Sequence, residues 1–325
     1  MAEQNQPRRL SVVVPVYNEE DCLGRLADDL GAALRDIPGG WEVILVDDGS
    51  SDRSFEVISG LAKERPGFVG IRLGRNAGQT AALAAGIAEA RGEVIVCMDA
   101  DLQNDPRDIK TLLDKMDEGY DVVSGWRVDR QDAWLTRRLP SQTANWLISR
   151  ITGVHLHDYG CTLKAYRAAY LKPLRLYGEM HRFIPALSGF LGAGIAEVPV
   201  RHHARTLGKS KYGLSRTFKV LLDLLTVKFM SAYMAKPIYL FGGWGLAMGL
   251  LGGVLASFTL YQRFCHHIYV KDQPLFQVSI FLVTVGFQMI LMGLLAEILI
   301  RVYFDIKDKK AYFIRDLIRR DAGKA

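Results

Sequence analysis

Ser11-Val-Val-Val-Pro-Val16 is a mostly apolar run. It is followed by three residues with polar side-chain atoms, Tyr17, Asn18 and Glu19. A short apolar run bounded in this way is typical of a strand buried on both faces of a sheet. Leucines at helical spacing begin at Leu23, and we expect Asn18 to cap the helix that carries them. The first part of the chain therefore predicts a strand followed by a helix.

The alternation of strand and helix continues to about residue 123. Apolar runs at 41–46 and 93–98 predict two further strands. An alanine-rich segment predicts a helix over 78–91, and Asp105 with Pro106 is expected to open another helix. This order is typical of an α/β fold in which helices cover both faces of a mostly parallel sheet.

Polar residues follow three of the predicted strands. In open α/β sheets, ligands bind beyond the carboxyl ends of the strands, so we expect these side chains to outline one site. They are Pro15, Tyr17 and Glu19 after the first strand, Asp47 and Asp48 after the second, and Asp99, Asp101 and Gln103 after the third.

Asp99 and Asp101 stand two residues apart at the end of a buried strand, so both side chains can point to the same side. Such a pair offers the hard oxygen ligands that Mg²⁺ or Mn²⁺ prefers, although an isolated Asp-x-Asp is more often a solvated turn. The sequence has no glycine-rich phosphate loop, so a diphosphate here would need a divalent cation to neutralise it.

Two later stretches, 238–260 and 275–296, contain no Asp, Glu, Lys or Arg, and each reaches the roughly 20 residues that a bilayer core requires. We interpret them as a transmembrane hairpin; a buried hairpin in a large soluble core is the alternative. Gly245, Gly249 and Gly253 recur at four-residue spacing and predict close helix packing.

The distribution of charge predicts the orientation in the membrane. The loop between the two apolar stretches contains Arg263 and Lys271 as its basic residues, whereas the tail from Arg301 onward is rich in Lys and Arg. By the positive-inside rule, both termini and the first domain lie in the cytoplasm, at the plasma (inner) membrane. The formal charge of +6 then reflects anionic lipid, and no nucleic-acid partner is expected.

The sequence therefore divides into four segments. We expect residues 1–213 to form the cytoplasmic α/β domain that carries the predicted site, and residues 214–236 an amphipathic juxtamembrane helix that lies in the interface. Residues 237–300 hold two transmembrane helices, at about 238–260 and 275–298, and residues 301–325 form a basic cytoplasmic tail.

Several motifs carry a resemblance to a known family. Those in the first hundred residues resemble the inverting family 2 glycosyltransferases, which have the Rossmann-like GT-A fold; they are Val12-Val-Val-Pro-Val-Tyr-Asn-Glu19, Val46-Asp-Asp-Gly-Ser-Ser-Asp52, Asn76-Ala-Gly-Gln79 and Asp99-Ala-Asp-Leu-Gln103. The later motifs resemble the polyprenyl-phosphate branch, which includes dolichyl-phosphate mannose synthase and undecaprenyl-phosphate glucosyltransferase. These are Gly125-Trp-Arg-Val-Asp-Arg-Gln-Asp132, His157-Asp-Tyr-Gly-Cys-Thr-Leu-Lys164, Glu179-Met-His-Arg-Phe183 and Gly208-Lys-Ser-Lys-Tyr212.

The resemblance implies a role for each motif residue. The nucleotide-sugar donor would be bound by Pro15, Tyr17, Glu19, Asp47, Asp48, Asn76, Asp99 and Gln103. The cation, Mg²⁺ or Mn²⁺, would be bound by Asp99, Asp101 and Gln103. Asp158, Asp101 and Arg182 would be catalytic.

The role of Asp158 stays open between two interpretations. In similar enzymes an Asp in this motif is proposed as a base. A phosphate monoester has a second pKa near 6, however, so an acceptor phosphate hardly needs deprotonation at neutral pH. Orientation of a sugar hydroxyl or of a neighbouring Arg is the alternative role for Asp158.

An anionic acceptor approaching an anionic donor needs permanent positive charge, which arginine supplies together with paired donors. A solvated face or one that binds lipid headgroups is the alternative interpretation for these basic residues. The candidates for the acceptor phosphate are Arg127, Arg130, Arg201, Arg205, Lys209, Ser210 and Lys211.

The predicted reaction is the inverting transfer of one sugar, glucose from UDP-glucose, to undecaprenyl or another polyprenyl phosphate for envelope glycan modification. GDP-mannose or a UDP-aminoarabinose derivative is the alternative donor. A polymer synthase would carry a Q-x-x-R-W motif, which this sequence lacks. A non-catalytic scaffold or flippase partner with a degenerate domain is a further alternative, and a homo-oligomer, such as a tetramer, is expected from the resemblance and the glycine spacing.

Overall fold

The computed structural model describes residues 8–128, 139–203, 236–270, 273–305 and 314–319. The chain divides into two compact units. Residues 8–203 belong to the first unit, together with a strand near the C-terminus, and two long helices belong to the second. The predicted juxtamembrane helix at 214–236 lies almost entirely outside the described residues.

The first part of unit one alternates strictly between strands and helices. Its elements are β1 (Arg8–Val16), α1 (Glu20–Leu34), β2 (Trp41–Asp47), α2 (Ser54–Glu64), β3 (Phe68–Leu73), α3 (Gln79–Glu89), β4 (Gly92–Cys97) and α4 (Asp108–Asp117). The sequence predictions for β1, β2, α3 and β4 match these elements, with ends that shift by no more than three residues.

The second part of unit one is less regular. It contains β5 (Val122–Trp126), α5 (Leu139–Thr152), β6 (Lys164–Arg167), α6 (Ala168–Leu171), a 3₁₀ turn (Met180–Phe183), α7 (Ile184–Phe190) and β7 (Ile195–Pro199). The last strand, β8 (Ile314–Arg319), follows the two helices of unit two, α8 (Ile238–His266) and α9 (Pro274–Asp305).

Eight strands form one sheet in the order β7-β5-β6-β4-β1-β2-β3-β8. Strands β1 to β4 are mutually parallel, β7 is parallel to β5, and only β6 and β8 pair antiparallel with their neighbours in the described sheet. The central strand β1 pairs on both sides, with Val12 opposite Val43 and Val96. The expected mostly parallel α/β sheet is therefore confirmed.

Helices cover both faces of β1. Val12 and Val14 join a buried cluster with Leu23 and Leu26 of α1. On the opposite face, α3 packs so closely that a Cβ on Gly86 would collide with Val13. A strand covered on both faces has no polar side to show, which explains why β1 reads as a continuous apolar run.

Asn18 does not cap α1, contrary to the sequence prediction. It adopts a left-handed φ of 54°, and its Oδ1 accepts a hydrogen bond of 2.8 Å from the Ser51 N–H. Glu19 precedes the helix instead. The Asn18 side chain thereby joins the loop after β1 to the loop after β2, a contact between positions 33 residues apart.

Part of the predicted basic tail is a strand. Residues Ile314–Arg319 pair antiparallel with β3, with Val69 opposite Arg319 and Leu73 opposite Ile314. The tail is predicted from its charge alone. Residues 314–319 mix apolar and charged side chains without the strict alternation that indicates a strand. The pairing covers an edge of the parallel sheet that would otherwise expose its backbone groups.

The helices α8 and α9 are long and apolar enough to span a membrane, over Ile238–His266 and Pro274–Leu299. Large apolar side chains in this unit are exposed, such as Leu250 at 72% and Phe281 at 66%. Exposed apolar surface of this extent is typical of contact with lipid or protein rather than with water. Both helices run several residues beyond the spans of 238–260 and 275–298 predicted from the sequence.

The two helices pack through glycines. A Cβ on Gly245 would lie 2.6 Å from the carbonyl oxygen of Gly286, and a Cβ on Gly286 would lie 2.9 Å from the backbone nitrogen of Gly249. A Cβ on Gly253 would meet nothing within 4 Å, whereas Gly252 faces Ser279 and Val283. Of the three predicted glycines, Gly245 therefore faces α9, whereas a Cβ on Gly249 would also meet nothing within 4 Å, and Gly252 takes the place of Gly253.

Candidate active site

The carboxyl ends of β4, β1 and β2 lie side by side, since these strands are parallel neighbours. The polar residues that follow each strand therefore meet at one edge of the sheet. Tyr17 is 38% exposed, Asn76 is exposed, and Pro15 and Glu19 are half-buried. These side chains are accessible to a ligand at that edge.

Asp47 ends β2 and is fully buried. Its Oδ1 accepts a hydrogen bond of 3.1 Å from Ser50 N–H, and Arg72 Nε lies 3.6 Å from its Oδ2. Burial raises the pKa of Asp47, against the opposing effects of Ser50 and Arg72. Oδ2 has no hydrogen-bond partner among the described residues, and Arg72 supplies its nearest positive charge.

Asp48 makes a different set of contacts. Its Oδ1 accepts from Ala77 N–H at 2.8 Å and its Oδ2 from Gly78 N–H at 2.9 Å, at the start of α3. Burial raises the pKa of Asp48 despite these bonds. The carboxylate holds the turn that presents Asn76, so its predicted role in nucleoside binding stays a prediction.

Asp99 and Asp101 follow β4, where the sequence predicted a cation site. Gln79 Nε2 donates to Asp99 Oδ1 at 2.7 Å, and Asp101 Oδ1 accepts from Gln103 N–H at 3.2 Å. Burial, reinforced by the charge of Asp101, raises the pKa of Asp99 to about 6. Two carboxylates that repel each other in a desolvated place are suited to a divalent cation.

No group of three His, Cys, Asp or Glu residues suited to a metal ion occurs among the described residues. This donor set still fits Mg²⁺, which typically takes one or two carboxylates and completes its shell with water and substrate phosphate. Gln103 turns its Nε2 to the carbonyl oxygen of His203 at 3.4 Å, so its role as a metal ligand stays a prediction.

Arg127 and Asp158 form a bidentate ion pair. Arg127 Nε donates to Asp158 Oδ2 at 2.6 Å and Nη2 to Oδ1 at 2.9 Å. Only 13% of the Arg127 side chain and 5% of the Asp158 side chain are exposed. The pairing raises the pKa of Arg127 although burial opposes the charge. Both oxygens of the Asp158 carboxylate are therefore engaged by one guanidinium.

Arg182 lies in the 3₁₀ turn, with its Nε 3.8 Å from Glu179 Oε2. The charges of Arg127 and Arg182 both oppose the rise in the pKa of Asp99, so both lie near that carboxyl group. The turn is joined to α3 by a contact of 2.7 Å between His181 Nδ1 and Thr80 Oγ1. The structure thus brings Asp99, Arg127, Asp158 and Arg182 together.

Arg201 makes contacts that the sequence did not predict. Its Nε and Nη2 donate to Asp108 Oδ1 at 2.9 and 2.6 Å, and its Nη1 lies 3.3 Å from Asp105 Oδ2. Two buried carboxylates therefore neutralise this guanidinium, which disfavours the predicted role in acceptor binding. The candidates Arg130, Arg205, Lys209, Ser210 and Lys211 lie outside the described residues.

Two charged residues next to Asp158 were not predicted as site residues. Lys164 is 3% exposed within β6, and Glu197 of β7 accepts hydrogen bonds from the backbone before Asp158. The sequence does contain a signal for Lys164. This lysine directly follows Cys-Thr-Leu and begins a buried strand, and lysine is rarely buried without a specific partner. Nothing in the sequence around Glu197 distinguishes it from a solvated edge residue.

A model of the family described as Glycosyl transferase family 2 matches residues 11–175. The chain is 44% identical over 316 residues to the dodecaprenyl-phosphate galacturonate synthase of Rhizobium johnstonii, covering 96% of this chain and 94% of that protein. It is 38% identical over 313 residues to the undecaprenyl-phosphate 4-deoxy-4-formamido-L-arabinose transferase of Edwardsiella ictaluri, covering 95% and 94%.

Solved structures share the fold at low sequence identity. Glucosyl-3-phosphoglycerate synthase from Mycobacterium tuberculosis, in complex with Mn²⁺ and uridine-diphosphate-glucose, is 18% identical with a TM-score of 0.52, covering 69% of this chain and 79% of that one. Mannosyl-3-phosphoglycerate synthase from Rubrobacter xylanophilus is 16% identical with a TM-score of 0.51, covering 68% and 74%. These likenesses confirm the expected GT-A fold and nothing beyond it.

Proposed function

Because the chain belongs to glycosyltransferase family 2 and is a glycosyltransferase, we propose that it transfers one sugar from a nucleoside diphosphate sugar to a polyprenyl phosphate. The observation that carries this proposal is the grouping of two carboxylates, Asp99 and Asp101, with two arginines, Arg127 and Arg182. Such a grouping suits a reaction between two phosphate-bearing substrates, since it provides for a cation and adds fixed positive charge.

The proposed reaction is a single displacement with inversion. An oxygen of the lipid phosphate attacks the anomeric carbon, the new carbon–oxygen bond forms, and the bond from that carbon to the diphosphate breaks. The electron pair leaves with the nucleoside diphosphate. The acceptor phosphate is largely a dianion at neutral pH, so no proton needs to be removed before attack.

Each group of site residues has its own role in the proposed reaction. Asp47 and Tyr17 bind the nucleoside together with Asn76, which directly precedes the Ala77 and Gly78 backbone that Asp48 binds. Asp99 and Asp101 hold the divalent cation, which, when bound, supplies positive charge for the departing diphosphate. Arg127 and Arg182 bind the anionic oxygens of the acceptor and donor, and Asp158 orients Arg127 rather than acting as a base.

The donor sugar is proposed from the relatives. Their names contain galacturonate and 4-deoxy-4-formamido-L-arabinose, and glucose is absent from the names of the two relatives described above. The higher identity, 44% against 38%, favours galacturonate as the first candidate and formamido-arabinose as the second. The glucose expected from the sequence alone becomes the third.

The topology in the membrane is proposed from the path of the chain. Strand β7 precedes the two apolar helices and β8 follows them, yet both belong to one sheet. Two crossings of a bilayer return the chain to the side on which it began, which agrees with the presence of β7 and β8 in one sheet. The catalytic domain and both termini then lie on the cytoplasmic side of the inner membrane, where the positive-inside rule also places them.

The assay that tests this function uses the full-length protein in detergent with Mg²⁺ or Mn²⁺ and undecaprenyl or dodecaprenyl phosphate. Radiolabelled nucleotide sugars carrying galacturonate, formamido-arabinose, glucose and mannose are supplied one at a time, and mass spectrometry identifies the lipid product. We expect one sugar per lipid phosphate and a preference for galacturonate. Absence of transfer from every donor would refute the proposed function.

Asp99→Ala separates an enzyme from a non-catalytic membrane scaffold. We expect this variant to lose transfer and to fail to complement a deletion strain. Full complementation by a variant that no longer binds the donor would favour the scaffold.

A further inference from the structure

Residues 157–160, here called the Asp158 loop, are held from two sides by charged side chains that donate to or accept from its backbone. The loop carries Asp158, whose carboxylate holds Arg127 and accepts from Gly160 N–H at 3.0 Å. Its own backbone groups point to a carboxylate on one side and an ammonium on the other. Neither of these two residues has a place in the transfer proposed above.

Glu197 of β7 holds the first side of the loop. Its Oε1 accepts from Asp158 N–H at 3.0 Å, and its Oε2 accepts from His157 N–H at 3.0 Å and lies 2.8 Å from His157 Nδ1. The carboxylate is 11% exposed. His157 in turn stacks on Trp126 at the end of β5, with ring centroids 4.3 Å apart, next to Arg127. Glu197 therefore fixes the chain entering Asp158.

Lys164 of β6 holds the other side. Its side chain is buried, and its Nζ donates to the carbonyl oxygen of Tyr159 at 2.9 Å. Lys164 pairs with Cys97 of β4 and Ser124 of β5, so it enters the site from inside the sheet. Burial lowers the pKa of Lys164, while the charge of Asp158 favours the ammonium form.

A buried ammonium is a poor way to stabilise a fold, since desolvation offsets most of its attraction to partners. An apolar residue would fill the same position in β6 at lower cost. What the ammonium adds is a charged donor that fixes the carbonyl following Asp158. The position therefore points to a role in arranging the site.

We propose that Lys164 and Glu197 are positioning residues, which lock the Asp158 loop so that Arg127 presents its guanidinium to the acceptor phosphate in one orientation. Arg127 uses Nε and Nη2 for Asp158, which leaves the edge that carries Nη1 for phosphate oxygens. The loop is locked through the Glu197 carboxylate before Asp158 and the Lys164 ammonium after it. The acceptor role of Arg127 in this proposal rests on the proposed function.

Hydrogen exchange tests the lock on the full-length protein without any substrate. We expect Lys164→Met and Glu197→Gln each to speed amide exchange across residues 156–161 by about tenfold. Exchange at wild-type rates in both folded variants would overturn the proposal.

The chain offers a matched control for each variant. Lys172 Nζ donates to the carbonyl oxygen of Ala90 at 2.7 Å, and Glu42 Oε1 accepts from Arg91 N–H at 2.7 Å. Both contacts lie just before β4, at the amino ends of the parallel strands and so at the edge opposite the site. Lys172→Met and Glu42→Gln should leave exchange across 156–161 unchanged; acceleration there in the controls would show a general loss of stability and overturn the proposal.

Transfer kinetics distinguish positioning from a purely structural role. We expect Lys164→Met to raise KM for undecaprenyl phosphate about tenfold while the donor Kd, measured by calorimetry, changes less than about twofold. Lys164→Arg should restore most of the acceptor KM, since it keeps the buried charge. An equal loss of donor affinity, or a wild-type acceptor KM in folded Lys164→Met, would contradict the proposal.

Hydrogen exchange and transfer kinetics together distinguish a failure of this proposal from a failure of the proposed function. If the wild-type protein transfers no sugar, the proposed function fails, and hydrogen exchange alone decides whether Lys164 and Glu197 lock the loop. If Lys164→Met does not fold, Glu197→Gln replaces it in both measurements with the same expected changes.

Discussion

At the scale of single residues, the behaviour of the carboxyl groups in the site depends on how deeply each is buried as well as on its charged neighbours. Asp99 is poorly solvated beside Asp101, which keeps the pair receptive to a cation. Asp158 is more deeply buried, at 4% exposed, and has Arg127 as a bidentate partner. Asp99 therefore lies beside a like charge, whereas both oxygens of Asp158 are bound by one guanidinium.

Cation binding should depend on pH through Asp99. The pKa of Asp99 is raised to about 6 by burial and by Asp101, so the carboxyl is protonated below that pH and binds a cation poorly. We expect the Mn²⁺ affinity to be about tenfold weaker at pH 5 than at pH 7. Titration with Mn²⁺, followed by electron paramagnetic resonance, measures the affinity. Asp99→Asn should bind weakly at both values, and a pH-independent wild type would contradict the assignment.

Replacement of Asp158 by Asn tests its orienting role. The amide oxygen of Asn can still accept one N–H from Arg127, so we expect kcat to fall about tenfold to a hundredfold without a change in the shape of the pH profile. The profile of kcat between pH 5 and 9 is the measurement. If the variant instead loses an acidic limb that the wild type shows, Asp158 is the base.

At the scale of elements, the loops after β2 and β3 are built against each other. Asp48 binds the backbone at Ala77 and Gly78, and Gly49, with a φ of 67°, lies where a Cβ would be 2.6 Å from the backbone of Arg75 and Asn76. Backbone atoms cannot turn away as a flexible side chain can. The placement of Asn76 therefore depends on a glycine at position 49.

Gly49→Ala should cost more stability than Gly40→Ala. Gly40 also has a positive φ, 77°, but a Cβ there meets nothing within 4 Å, so its replacement costs only the left-handed conformation, about 1 kcal/mol. We expect Gly49→Ala to cost about 2 kcal/mol more, because of the backbone collision. Thermal unfolding of the two variants in detergent measures the difference, and equal melting temperatures would refute the collision.

The helices α8 and α9 offer a second matched pair. Gly245→Ala places a methyl group against the Gly286 carbonyl, whereas Gly253→Ala points into open space. We expect the first to lower the melting temperature in detergent by several degrees and the second to leave it unchanged, since close packing drives helix association in membranes. A reversed order would show that the helices pack through another face.

At the scale of the whole molecule, the chain leaves the catalytic sheet at one edge and returns to it at the other. β7 and β8 are the two outermost strands, and the apolar helices lie between them in sequence. A hairpin inserted in this way must begin and end on the same side of a membrane. The alternation of strands and helices and the apolar spans were predictable, but the return of the chain as β8 was not.

Reporter fusions test this topology in cells. A reporter that is active only in the periplasm should be active when inserted after His267, between α8 and α9, and inactive at the C-terminus. The same reporter at the N-terminus provides the control and should be inactive. Activity at one terminus but not at the other would mean an odd number of crossings and would refute the hairpin.

Local sequence patterns were enough to predict β1, β2, α3, β4 and the two apolar helices. A strand buried on both faces requires a run of apolar residues, and an amphipathic helix requires apolar residues at a spacing of about 3.6. A membrane span requires about 20 uncharged residues, so all three can be recognised from residues close together in the sequence. The polar ends of β1, β2 and β4 could be placed at one edge because parallel strands share their direction.

Which charged side chains form ion pairs became visible only in the tertiary structure. Arg127 pairs with Asp158 across 31 positions, and Arg201, predicted as a phosphate ligand, pairs with the buried carboxylate of Asp108 across 93. Glu197 likewise contacts the Asp158 backbone across 39 positions, whereas Lys164 contacts Tyr159 across only five. A contact between distant residues depends on how the strands are ordered and packed, and no local pattern in the sequence records it.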